Sequence, residues 1–152
     1  MKRCICLSIL FAILLYTSTE SFARSGRLIE QSEVKKVELR MFYTLGKFNG
    51  YLVFYDEDAN QCAVNIIPKS RRDVGGYYVT DKPRLRIESR SGTSIIDLQI
   101  THDKFQVLTL RSGDQIYAYG IDFLPQFEIR KGDKIPFEFI SGNLRASTET
   151  EI

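Results

Sequence analysis

The chain has no tryptophan, a single histidine and only three cysteines, and these shortages restrict its chemistry before any pattern is read. Two of the cysteines, Cys4 and Cys6, fall in an N-terminal segment ordered like a secretory leader. Lys2 and Arg3 open it, an almost wholly apolar run from Cys4 to Tyr16 follows, and Ser21-Phe22-Ala23 closes it as a small-x-small cleavage site. The run is shorter than the roughly 20 apolar residues a spanning helix needs. Residues 1–23 therefore read as a signal peptide, and the protein is expected in the periplasm or outside the cell. Cys62 is then the one thiol left, so an intramolecular disulfide is excluded even though an exported compartment would permit one. One histidine and one cysteine cannot supply the four nitrogen or sulfur ligands of a structural zinc site. No metal and no cofactor are expected.

An excess of charge is also lacking. The full chain carries 21 basic and 19 acidic residues, a formal +2, and removing Lys2, Arg3 and Glu20 with the leader lowers this to +1. Nucleic-acid affinity comes mainly from phosphate neutralisation, so no nucleic-acid partner is expected. No later hydrophobic run is long enough to cross a bilayer as a helix, so an integral membrane protein is not expected after cleavage.

What is present is alternation. Residues 24–33 are polar and read as a flexible lead-in. A single β-rich domain follows over 34–142, with a polar, frayed or weakly stranded tail over 143–152. Val37, Leu39, Met41, Tyr43 and Leu45 alternate with polar neighbours, which puts Glu38 and Arg40 toward water on a strand with one buried face. Further strands are expected at 51–55, 62–67, 77–80, 84–89, 94–100, 105–110, 116–121 and 135–140, separated by turn sequences such as Asn49-Gly50, Gly75-Gly76 and Ser112-Gly113-Asp114. Short strands at this spacing predict an all-β fold, an antiparallel β-sandwich or small barrel with at most one short helix. The helix is placed near Phe123 to Gly132. There Pro125, the i,i+4 pair Phe123 and Phe127, and Arg130-Lys131-Gly132 are start and stop signals. Pro136 lacks a ladder N–H, which predicts an edge strand or a bulge.

Few residues invite chemistry. Cys62 lies in a strand-like run and reads as a buried small hydrophobe, with an intermolecular bridge or a nucleophile as the competing roles. His102 stands in a turn, Thr101-His102-Asp103-Lys104, without a nucleophile motif beside it. Asp56, Asp58 and Asn60 open like a calcium loop, but Gln61 and Ile67 occupy the places of the required glycine and glutamate, so a polar hairpin loop is expected. No catalytic residue is assigned. The surface feature that stands out is basic: Lys69, Arg71 and Arg72 follow Pro68, and Arg84, Arg86 and Arg90 alternate with Leu85 and Ile87. Residues two apart on a strand lie about 6.6 Å apart on one face, so the second group would form a stripe suited to carboxylates or phosphates. Glu88 interrupts the same face.

A set of ordered landmarks resembles the invasion-associated locus B family of secreted bacterial proteins. These are Leu45-Gly46-Lys47-Phe48 with Tyr51, where the family usually has tryptophan; Cys62 followed by Pro68-Lys69-Ser70; and Tyr77-Tyr78-Val79-Thr80-Asp81-Lys82-Pro83. Phe105, Gly113-Asp114 and Arg130-Lys131-Gly132 continue the order. The likeness is to a divergent or shortened member. It implies a secreted or periplasmic β-rich domain linked by the family's name to host-cell invasion, and no catalytic residues. The expected function is accordingly a non-enzymatic interaction module with a protein or an anionic envelope or host surface as its partner. The alternative is a small β-barrel carrier of an apolar ligand, since such folds can enclose a cavity.

Overall fold

The computed structural model describes residues 26–152, so the signal peptide expected over 1–23 lies outside the described residues. Twelve strands are formed among them: β1 Leu28–Ile29, β2 Lys36–Thr44, β3 Lys47–Tyr55, β4 Gln61–Val64, β5 Ser70–Arg72, β6 Tyr78–Thr80, β7 Arg84–Ser89, β8 Gly92–Asp97, β9 Phe105–Thr109, β10 Gln115–Phe123, β11 Lys134–Ser141 and β12 Leu144–Glu151. The larger sheet runs β1-β4-β3-β10-β9, with β2 on the other edge of β3. The smaller is β12-β11-β7-β8, and β5 pairs only with β6. The two main sheets are antiparallel apart from the short β1–β4 pair and do not close into a barrel. The architecture is sandwich-like.

Alternation builds the core. Phe48, Leu52 and Phe54 of β3 face Leu85 and Ile87 of β7 and Ile135, Phe137 and Phe139 of β11, all nearly sealed from solvent. The rings interlock. Phe48 meets Phe137 edge-on at 5.2 Å, and Phe54 meets Tyr119 and Phe139 in the same manner at 5.6 and 5.9 Å. Tyr119 brings a polar end into this core and satisfies it locally. Its hydroxyl accepts from the Val64 N–H at 2.9 Å and donates to the Val64 carbonyl at 2.7 Å, so one side chain replaces a strand partner for β4. Gly50 has a packing reason, because a Cβ there would collide with the Arg40 carbonyl and the Met41 side chain of β2.

The segments that depart from the alternation reading have identifiable causes. Leu45 does not continue the inward row of β2. It lies with Gly46 in a two-residue hairpin turn, φ 54° and 77°, fully exposed. A turn of this kind needs left-handed backbone at both central residues, so the strand ends at Thr44. The helix near 123–132 is absent. Phe123 completes β10, and Phe127 follows in irregular backbone. The two rings are four apart because both pack on Phe48, at 5.3 and 6.0 Å. The tail is an eight-residue strand paired along its length with β11. Its inward residues are Leu144, Ala146, Thr148 and Thr150, and the last three are too small or polar to show hydrophobic alternation. Buried Thr150 donates its hydroxyl to the Met41 carbonyl at 2.8 Å, tying β12 to β2. Pro136 sits on an interior strand, and the β7 pairing begins one residue later, at Phe137. Leu28–Ile29 in the lead-in pairs in parallel with Ala63–Val64.

Candidate functional site

The six basic residues separate into two settings. Lys69, Arg71 and Arg72 belong to an arm that leaves the sandwich after Ile66 and returns at Pro83, both buried. Its two strands pair Ser70 with Thr80, Arg71 with Val79 and Arg72 with Tyr78. The Asp81 N–H donates to the Lys69 carbonyl at 3.0 Å and closes its base. Every residue from 67 to 77 is exposed. Asp73 organises the turn at the tip: its carboxylate accepts from the Tyr77 N–H at 2.8 Å, its carbonyl accepts from Gly76, and Gly76 takes φ 85°. Val74 stands fully in solvent and Tyr77 is 75% exposed. Arg71 reaches Asp81 only at 3.9 Å, and among the described residues Lys69 and Arg72 have no carboxylate within ion-pair distance.

Arg84 and Arg86 lie on the outer face of β7, as alternation requires, but that face is a mosaic of both signs. Register puts Asp97 opposite Arg84 and Glu138 opposite Arg86. Arg86 pairs with Glu88 at 2.8 Å, Arg145 with Glu138 at 3.4 Å and Lys82 with Asp97 at 3.9 Å. Arg90 does not join the face. It lies in the β7–β8 turn and grips Asp133 with a fork of bonds of 2.7–2.9 Å. Asp133 has only 8% of its side chain exposed and also accepts from the Arg130 N–H at 2.9 Å. The Arg90 hydrogen bond, then the Arg130 N–H, hold its carboxyl below the usual carboxylate range. Arg90 is thus a structural cation, and the stripe expected from spacing does not assemble as free charge.

Cys62 is buried in β4, its thiol 3.5 Å from Asp56 Oδ2 and 3.3 Å from the Asn60 carbonyl. Burial, reinforced by the negative Asp56, pushes the thiol pKa up, which disfavours the nucleophilic thiolate. Asp56 is the pivot of the expected polar loop. Its Oδ1 accepts from the Asp58 and Asn60 N–H groups, both at 2.9 Å, and its Oδ2 faces Arg27 at 3.2 Å. The Asn60 N–H leads in lowering its pKa. The carboxylate is spent on backbone and guanidinium, and no group of three His, Cys, Asp or Glu side chains suited to a metal occurs among the described residues. His102 is exposed in a short 3-10 turn, His102–Lys104, whose backbone N–H donates to Asn65.

Sequence reasoning missed one surface. A groove of about 840 Å³ crosses the outer side of β2 and β3 toward the β9–β10 turn and β12, lined by Phe42, Asn49 and Tyr51 among others. Phe42 is half exposed against the Tyr51 ring, and the lining includes Arg40, Arg111, Glu149 and Glu151. Its balanced charge selects no sign of partner. The signal available in sequence was Phe42 itself, an aromatic on the polar phase of an alternating strand.

Compared with protein-family models, curated proteins and solved structures, the chain matches none.

Proposed function

We propose that this chain is a secreted or periplasmic, non-enzymatic interaction module of the kind the resemblance to invasion-associated locus B proteins implies, acting at an envelope or host surface. Its contact with an anionic partner is made by the β5–β6 arm. The observation that carries this reading is the arm itself: an eleven-residue exposed stretch, 67–77, that carries Lys69 beside the body and Arg71 and Arg72 further out. Folding exposes such a segment without return in core burial, and exposed loops on a rigid scaffold are where recognition concentrates. The carrier alternative has less support, because the space between the sheets is taken by Phe48, Phe54, Tyr119, Phe137 and Phe139.

The test is capture from envelope and host-surface extracts by the mature protein and by a Lys69→Ser, Arg71→Ser, Arg72→Ser variant. The wild type should retain a partner that the variant loses, and retention should weaken with salt, since exposed charges are screened beyond about 8–10 Å. Identical, salt-insensitive capture by both proteins would remove the arm from the account.

A further inference from the structure

The arm is amphipathic along its length, and this narrows the kind of anionic partner. Its far end is apolar and aromatic: Val74 is wholly exposed and Tyr77 largely so, on either side of Gly75-Gly76. The cations stand behind the tip, Arg72 and Arg71 first and Lys69 nearer the body. A soluble acidic glycan would be met chiefly by the charges and would leave Val74 in water. A lipid surface accommodates both. Arg72 reaches toward the tip, its Nη2 lying 3.9 Å from where a Cβ on Gly76 would sit, so a cation accompanies Val74 and Tyr77 at the end of the arm. Apolar groups of interfacial segments enter the headgroup and acyl boundary by roughly 5–10 Å, where an accompanying guanidinium meets phosphates. Tyrosine is favoured at that depth, with its ring in the apolar layer and its hydroxyl in the wet one.

We infer that the β5–β6 arm docks on an anionic lipid surface, with Val74 and Tyr77 entering the interfacial layer and Lys69, Arg71 and Arg72 meeting headgroup phosphates. This rests on the reading of the arm as the contact surface and adds what it contacts. Asp73 keeps its negative charge at the tip, against three cations on the arm, so the arm as a whole stays positive. The attachment is peripheral: one short apolar tip and three cations make a reversible contact. Basic side chains near an anionic leaflet strengthen binding several-fold each.

The absence of tryptophan makes the test direct. Val74→Trp places one indole at the exposed tip, and the protein is titrated with phosphatidylcholine vesicles containing 30% phosphatidylglycerol and with phosphatidylcholine vesicles alone. The expected result is a blue shift of about 10 nm and lipid-borne quenching with the anionic vesicles only. Arg71→Ser with Arg72→Ser in the same background should weaken partitioning on the order of 30-fold. Sedimentation of the unlabelled wild type with the anionic vesicles provides a measurement independent of the tip substitution. Unshifted emission, whether the protein sediments or not, would overturn tip insertion. If the vesicles fail while the arm variant still loses its partner in extract capture, the lipid assignment falls and the interaction module stands.

Discussion

Arg71 and Arg72 on the arm, and Arg84 and Arg86 on the sandwich, are the same side chain on β5 and β7, with β6 between them in the chain, yet they meet different surroundings. On β7 register sets Asp97 of β8 opposite Arg84 and Glu138 of β11 opposite Arg86, but those acids ion-pair with Lys82 and Arg145, Arg86 pairs with Glu88 of its own strand, and among the described residues Arg84 has no carboxylate within ion-pair distance. On β5 the only neighbouring strand is β6, Tyr78–Thr80, which carries no charge. A cation in the middle of a sheet inherits acids from two neighbours, whereas one on a two-stranded arm inherits from a single neighbour. Exposed ion pairs contribute little stability, generally about 0–1 kcal/mol, but they do cancel the local field that a partner would sense.

The comparison breaks first if the arm is part of what holds the body together. Phe137→Ala empties a site between Phe48 and Phe123, both in ring contact with it, and should cost about 3–5 kcal/mol in a denaturant melt. Val74→Asp with Tyr77→Ser should change stability by less than about 0.5 kcal/mol, since both side chains already stand in water. Comparable losses in the two variants would mean that the arm is a structural element.

The ion pairs sharpen it next. Asp133→Asn removes the partner of Arg90 and should lower the melting temperature by on the order of 5 °C, while Arg71→Ser, whose partner is 3.9 Å away, should shift it by less than about 1 °C. The pH profile follows the same division. Asp133 and Asp56 have folded pKa values below their ordinary value, so the stability they contribute is present above about pH 4 and is lost as pH falls through the folded values. Cys62 and Tyr119 have raised pKa values, chiefly from burial. Their contribution is present below the ordinary values, about 9 and 10, and is lost as pH rises through the folded ones. Thermal melts across pH should show a plateau between these limits. For Asp133→Asn the acid limb should be shallower.

Much of the sandwich was legible because its buried faces alternate with large apolar residues, as at Leu85 and Ile87 or Phe137 and Phe139. β12 was not, since Ala146, Thr148 and Thr150 face inward and derive their place from pairing with β11 and from the Thr150 bond to Met41. β5 was illegible for the opposite reason. Ser70, Arg71 and Arg72 have no buried face, so no periodicity marks them. For the candidate site, spacing foresaw that Arg84 and Arg86 would share a face and that Cys62 would be buried. It could not foresee the acids across the ladder, the folding of Arg90 onto Asp133 forty-three residues on, or the isolation of the arm. Those depend on which strands become neighbours.

Two double variants with the same change in net charge test the central claim most directly. Arg71→Ser with Arg72→Ser, and Arg84→Ser with Arg86→Ser, are each compared with the wild type for binding to vesicles containing 30% phosphatidylglycerol, at two salt concentrations. The account predicts that the arm variant loses on the order of 30-fold in binding at the lower salt while the β7 variant stays within about twofold of wild type. Equal losses, or a larger loss from the β7 pair, would contradict it, because binding would then follow total charge or the sheet face and not the arm.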